Sequence, residues 1–154
     1  MKSIKLLILG FFCFHLSSCV YFNTFYNAEN SFKEANEIID NSSYNFENND
    51  IPTTAKKLLN ESISSSNIVL NEYSDSKYVD DAIYYMGRSY FTLAEYFKAE
   101  KYFNELIINY PQSKYVNESK LWLEYTNLKL DSKDSILKNI NLIEESLNSK
   151  NDKE

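Results

Sequence analysis

The sequence predicts an all-α protein, a short solenoid of about six antiparallel helices in three hairpins behind an N-terminal leader. Three observations carry that expectation. Only two glycines and two prolines occur in 154 residues, too few for the tight turns that strand hairpins consume. Apolar residues recur at three- and four-residue spacing instead of alternating. Finally, Tyr73-Ser-Asp-Ser-Lys-Tyr-Val79 is echoed by Tyr110-Pro-Gln-Ser-Lys-Tyr-Val116, an offset of 37 residues, which is the period of stacked helical hairpins. With 44% apolar residues, one globular module is the expected size of the fold.

The chain begins with Lys2 and Lys5, then the apolar run Leu6 to Leu16, then small residues, which is the layout of a secretory signal. The run is too short to serve as a mature membrane-spanning helix. Leu16-Ser17-Ser18-Cys19 resembles the bacterial lipobox. That resemblance implies removal of residues 1–18 by the lipoprotein signal peptidase, a diacylglycerol on the Cys19 thiol and an acyl chain such as palmitate on the new amino terminus. Each buried methylene adds about 0.8 kcal/mol of membrane affinity, so two or more chains hold where one is marginal. The competing reading makes Cys19 an ordinary thiol behind an uncleaved anchor or a conventional signal.

Removing the leader sharpens the inventory. Fourteen basic residues then face 22 acidic ones, a formal charge of −8, which argues against nucleic acid as a partner and against adhesion to anionic headgroups. His15, Cys13 and Gly10 leave with the leader, so the exported part holds no histidine and no free thiol. Ser–His and Cys–His catalysis, Cys/His zinc sites and internal disulfides are thereby excluded by residue type. No cofactor and no metal are expected.

The elements follow in order. Phe25, Ala28, Phe32, Ala35 and Ile39 predict a helix from about Phe22 to Ser43; an Asn-rich loop, 44–52, ends at Pro52. Ala55 to Tyr73 reads as the next helix, although Ser64-Ser65-Ser66-Asn67 are weak helix formers in its middle. Ile83, Met86, Gly87 and Tyr90 define a third, and Ala99, Phe103 and Leu106 a fourth, with the turn near Glu95 and Tyr96; Pro111 stops the fourth. Carrying the 37-residue offset forward places a third hairpin on about 115–149. Its second helix carries Ile136, Ile140, Ile143 and Leu147 on one face, and the pattern fits a capping repeat. Residues 19–149 thus form one helical domain, and 150–154 a fraying polar tail.

The stretch from Asp80 to Pro111 is similar to a tetratricopeptide repeat, in which a small residue on the first helix faces a small residue on the second. Gly87 and Ala99 occupy those places, and Tyr90, Phe103 and Pro111 fall where the repeat has aromatic, aromatic and proline; Ile83 replaces its usual tryptophan. The likeness implies that the face of the first helix bearing Asp81, Tyr84, Arg88 and Phe91 lines a concave groove. Arg88 is the only arginine, and between Tyr84 and Phe91 it can grip a carboxylate or stack on a partner side chain. The alternative is a solvated arginine paired with Asp81 or a nearby glutamate. Asp80 and Asp81, at a helix start, are read as capping residues and not as an acid–base pair.

Tyr21, Phe22, Phe25 and Tyr26 follow the lipidated cysteine, where they can rest among headgroups or, for Phe25, pack under the second hairpin. A lipobox followed by repeats with Tyr-Pro-x-Ser-Lys-Tyr turns resembles the BamD-like outer-membrane lipoproteins over roughly residues 16–130, although this chain is shorter than their five-repeat members. The resemblance implies a lipid-anchored, non-enzymatic envelope scaffold that binds other proteins in its groove and serves β-barrel assembly. Val20 after Cys19 implies the outer membrane, facing the periplasm. Two other readings stand beside it: a pilotin-like or cell-wall-coordinating lipoprotein, separable by its copurifying partners, and a carboxylate-only cell-wall hydrolase, separable by a digestion assay.

Overall fold

The computed structural model describes residues 23–42 and 51–131. It is all-helical there: α1 (23–40), α2 (Thr53–Glu72), α3 (Val79–Thr92), α4 (Tyr96–Asn109) and α5 (116–131). The leader, Cys19, Tyr21 and Phe22, most of the Asn-rich loop, the helix carrying Ile136 to Leu147 and the polar tail lie outside the described residues. Five of the six expected helices are therefore visible, in the order of a short solenoid.

The first two helices each bury one stripe. Phe25, Ala28, Phe32, Ala35 and Ile39 are buried on α1, and Ala55, Leu59, Ser62, Ser66 and Val69 on α2. The serine-rich middle of α2 does not interrupt it. Ser62 and Ser66 are fully buried, and the Ser62 hydroxyl donates to the carbonyl of Ala28 at 2.8 Å. Small side chains let α1 and α2 approach, and burial there outweighs the few tenths of a kcal/mol that serine loses in helix propensity. Phe25 packs inward, its ring stacked on Tyr78 at 4.4 Å, whereas Tyr26 is half exposed.

The echoed phrases fold into the same turn twice. Ser76 N–H donates to the Tyr73 carbonyl at 2.8 Å and Val79 N–H to the Ser76 carbonyl at 3.3 Å; Ser113 to Tyr110 and Val116 to Ser113 repeat these at 2.9 and 3.2 Å. The Tyr78 and Tyr115 amides donate to the hydroxyls of Ser76 and Ser113, both at 3.2 Å. The shared Ser-Lys-Tyr is thus a hydroxyl-braced turn that starts the next first helix.

Between α3 and α4 the chain reverses through Ala94, whose φ is 59°. The Ala94 amide donates to Phe91 and the Glu95 amide to Tyr90, the paired bonds of a Schellman ending, with alanine where glycine is usual. α3 is the centre of the fold: Ala82, Ile83 and Met86 are at most 1% exposed, with α2 on one side and α4 on the other. On α4, Ala99, Phe103 and Leu106 are fully buried. Tyr90 stacks on Tyr102 at 5.6 Å between centroids, and exposed Pro111 follows just after the end of α4.

Gly87 does meet a second helix, but its nearest neighbour is the Phe103 ring and not Ala99. Ala99 stands one turn earlier on the same face of α4. The close approach therefore accommodates an aromatic ring against bare backbone.

Candidate binding face

The first helices of the hairpins, α1, α3 and α5, meet side by side, and their charged and aromatic groups collect along that seam. Asp81 lies in the first turn of α3, but neither it nor Asp80 caps the helix: the N-cap residue is Tyr78, with no side-chain cap bond. Asp81, 7% exposed, instead pairs with Lys114 of the following turn at 2.7 Å. That hydrogen bond raises the Lys114 ammonium above its ordinary value, against the opposing effect of burial.

Tyr84 and Tyr85 are buried together. Tyr84 stacks on Tyr115 at 4.0 Å with the rings nearly parallel, and the Tyr85 hydroxyl donates to Glu29 at 3.0 Å and contacts the Tyr115 hydroxyl at 3.2 Å. Burial pushes both phenols well above the usual range, and for Tyr85 the Tyr115 hydroxyl adds to it. Burial alone would raise the Glu29 carboxyl. Hydrogen bonds from Lys33 and Tyr85 outweigh that and hold it below the usual carboxylate range.

Arg88 is the hub. It donates to the Tyr84 hydroxyl at 2.8 Å and to Glu118 at 3.3 Å. Its guanidinium lies 3.7 Å over the Trp122 ring and 5.3 Å from that of Phe32. Its Nε is buried and has no hydrogen-bond partner. Its side chain is 16% exposed, against 49% for Glu118. Phe91 is buried against Trp122, edge to face at 4.9 Å.

The four residues read as a groove face, Asp81, Tyr84, Arg88 and Phe91, are thus brought together along one side of α3 and roofed by α5. Only Arg88 keeps a substantial contact with solvent, and its glutamate partner is Glu118 and not Asp81. Of the residues that complete the seam, Phe32 is legible in the sequence only as a packing position of α1 and Lys114 and Tyr115 only as part of the echoed turn, while Glu29, Tyr85, Glu118 and Trp122 carry no such mark. One signal was available: Lys114-Tyr115 repeats Lys77-Tyr78, and Lys77 and Lys114 each lie about 5 Å over the following ring. Trp122 stands at the 37-residue offset from Tyr85.

The charges of the seam stand in pairs: Glu29 with Lys33, Asp81 with Lys114 and Arg88 with Glu118. Among the described residues no cluster of three or more His, Cys, Asp or Glu side chains could hold a metal ion, and no described helix is long and apolar enough to cross a membrane.

Residues 81–113, from the first turn of α3 through the turn after α4, match the tetratricopeptide repeat family. Repeats of this kind mediate protein–protein binding and are ordinarily non-enzymatic. No curated protein and no solved structure matches the chain.

Proposed function

We propose, from the tetratricopeptide repeat at residues 81–113, that the chain is a lipid-anchored envelope adaptor, tethered through Cys19, that binds other proteins along the α1–α3–α5 seam and its exposed margins. The observation that carries the binding role is the seam itself. Two-helix repeats stack so that their first helices run side by side, and here half-exposed Glu118 and the edge of Arg88 form the open margin of a seam whose aromatic side chains are packed between the helices. The anchor rests on the positive start, the apolar run and Leu16-Ser17-Ser18-Cys19. The place in the cell, the periplasmic face of the outer membrane at the β-barrel assembly site, rests on the lipobox-plus-repeat resemblance and on Val20.

Two measurements test this. Intact mass and membrane partition of the expressed protein should give a chain cut before Cys19 and carrying acyl chains, while Cys19→Ala stays unprocessed and unacylated. An unlipidated wild type removes the anchor. Crosslinking in envelopes should then recover β-barrel assembly proteins; secretin subunits or peptidoglycan-synthesis factors in their place would move the protein to the pilotin-like or cell-wall-coordinating role.

A further inference from the structure

Three helices carry equivalent positions at the same spacing. Phe25, Glu29 and Phe32 on α1, Tyr84, Arg88 and Phe91 on α3, and Leu121, Tyr125 and Leu128 on α5 each stand at i, i+4 and i+7, and the last two sets are related by the 37-residue offset. On α1 this face is covered by the next first helix and its cap: Phe25 stacks on Tyr78, Phe32 leans on Tyr85 and Glu29 accepts from Tyr85. On α3 it is covered by α5 and the residues leading into it, through Tyr115, Glu118 and Trp122. On α5 the same face is apolar and open, with Leu121 54%, Tyr125 48% and Leu128 64% exposed. Single apolar side chains on a surface are ordinary, whereas three in one helical stripe, at a position buried twice elsewhere in the same chain, mark an interaction face.

We infer that this stripe seats a second copy of the chain, α5 against α5 about a two-fold axis beside Tyr125. The apolar stripe is self-complementary in that arrangement, although Glu124 on one flank meets its own copy near the axis, a like-charge contact that keeps the pair weak. In an antiparallel pair, Leu121 of one copy meets Leu128 of the other and the two Tyr125 rings meet at the axis. Glu118 and Lys129 lie on the same flank of the stripe at 100° per residue, and antiparallel helices bring equal flanks together, so Glu118 of each copy faces Lys129 of the other. A parallel pair would put the Glu118 and Lys129 flanks of the two copies on opposite sides of the contact, so neither charge would meet a counterpart. Glu118 remains half exposed beside Arg88, so it is accessible to a second cation. The surface so covered is on the order of several hundred Å² per copy, at the low end for specific pairs, and the dimer is weak and reversible. This inference needs neither the lipid on Cys19 nor a role in barrel assembly, so it stands or falls separately from the proposed function.

The test uses the full chain produced in a bacterial host, with Tyr125 replaced by the photoreactive amino acid p-benzoylphenylalanine and irradiated in intact cells. The expected product has twice the chain's mass, and both joined peptides come from α5. Glu118→Lys alone, or Lys129→Glu alone, should lower its yield about tenfold by setting like charges opposite each other twice. Coexpressing the two single variants should restore it, because unlike charges then face each other at both contacts; that restoration also shows that each variant folds. Attachment of residue 125 to residues 132–154 of the same chain, attachment to other proteins with no self-product, or a yield indifferent to the charge changes would each overturn the inference.

Discussion

Gly87 and Phe103 touch across the α3–α4 crossing so closely that a methyl group on Gly87 would stand 2.7 Å from the ring's Cε1 and 2.9 Å from its Cδ1. Phe103 is fully buried, so the ring has no solvent side into which to swing. In an exposed helix, alanine in place of glycine gains about 1 kcal/mol. Here overpacking, at about 1 to 3 kcal/mol, outweighs that gain. Gly87→Ala should therefore lower stability by on the order of 1 kcal/mol in urea or thermal melts, and Gly87→Leu by more. Combined with Phe103→Leu, Gly87→Ala should cost less than the two single changes added together. A Gly87→Ala protein as stable as wild type would contradict the contact.

Ala94 gives the opposite sign. Its φ of 59° costs a non-glycine residue about 1 to 2 kcal/mol, while glycine in its place would add roughly 0.5 to 1 kcal/mol of unfolded-chain entropy to be lost on folding. Ala94→Gly should raise stability by about 0.5 kcal/mol, with the Schellman bonds of Ala94 and Glu95 unchanged. A measurable loss would mean that the packing of the Ala94 methyl outweighs the backbone strain.

Arg88 is held by planarity as much as by charge. The bonds to Tyr84 and Glu118 both leave from Nη1, which a lysine ammonium can replace; what lysine lacks is the guanidinium that sits over the Trp122 ring. Arg88→Lys should cost on the order of 1 kcal/mol. Because Trp122 is the single tryptophan, its fluorescence should report the change directly. An emission spectrum identical to wild type would show that the guanidinium–indole contact does not persist in solution.

Alkaline stability follows from the buried phenols. Tyr84 and Tyr85 have folded-state pKa values raised above their unfolded ones. Their contribution is therefore complete below the unfolded value, near pH 10, and declines as the pH rises beyond it toward the folded values. Melting temperature measured upward from neutral pH should begin to fall near pH 10, and Tyr85→Phe should make that fall shallower. Phenolate absorbance should show these two rings ionising only as the fold opens; their titration in the intact fold near pH 10 would contradict the burial.

The sequence by itself determined what depends on neighbours along the chain. Apolar spacing placed α1 to α4 near their observed ends, the 37-residue offset placed the start of α5, and Ser-Lys-Tyr specified the same hydroxyl-braced turn at Ser76 and Ser113, because helix periodicity and turn bonds are local. It left undecided what depends on where helices cross. That Gly87 meets Phe103, that Ser62 reaches the Ala28 carbonyl, and that Asp81 turns to Lys114 instead of capping α3 are outcomes of interhelical distance and side-chain direction. The left-handed Ala94 carried no sequence signal, since glycine is the usual mark of that conformation. The seam shows the division most clearly: the residues beside Arg88 on its own helix follow from its spacing, but Glu118 and Trp122 reach it only when the next hairpin stacks. Helices are fixed by contacts a few residues apart, and a surface built from three of them is fixed by contacts some thirty residues apart or more.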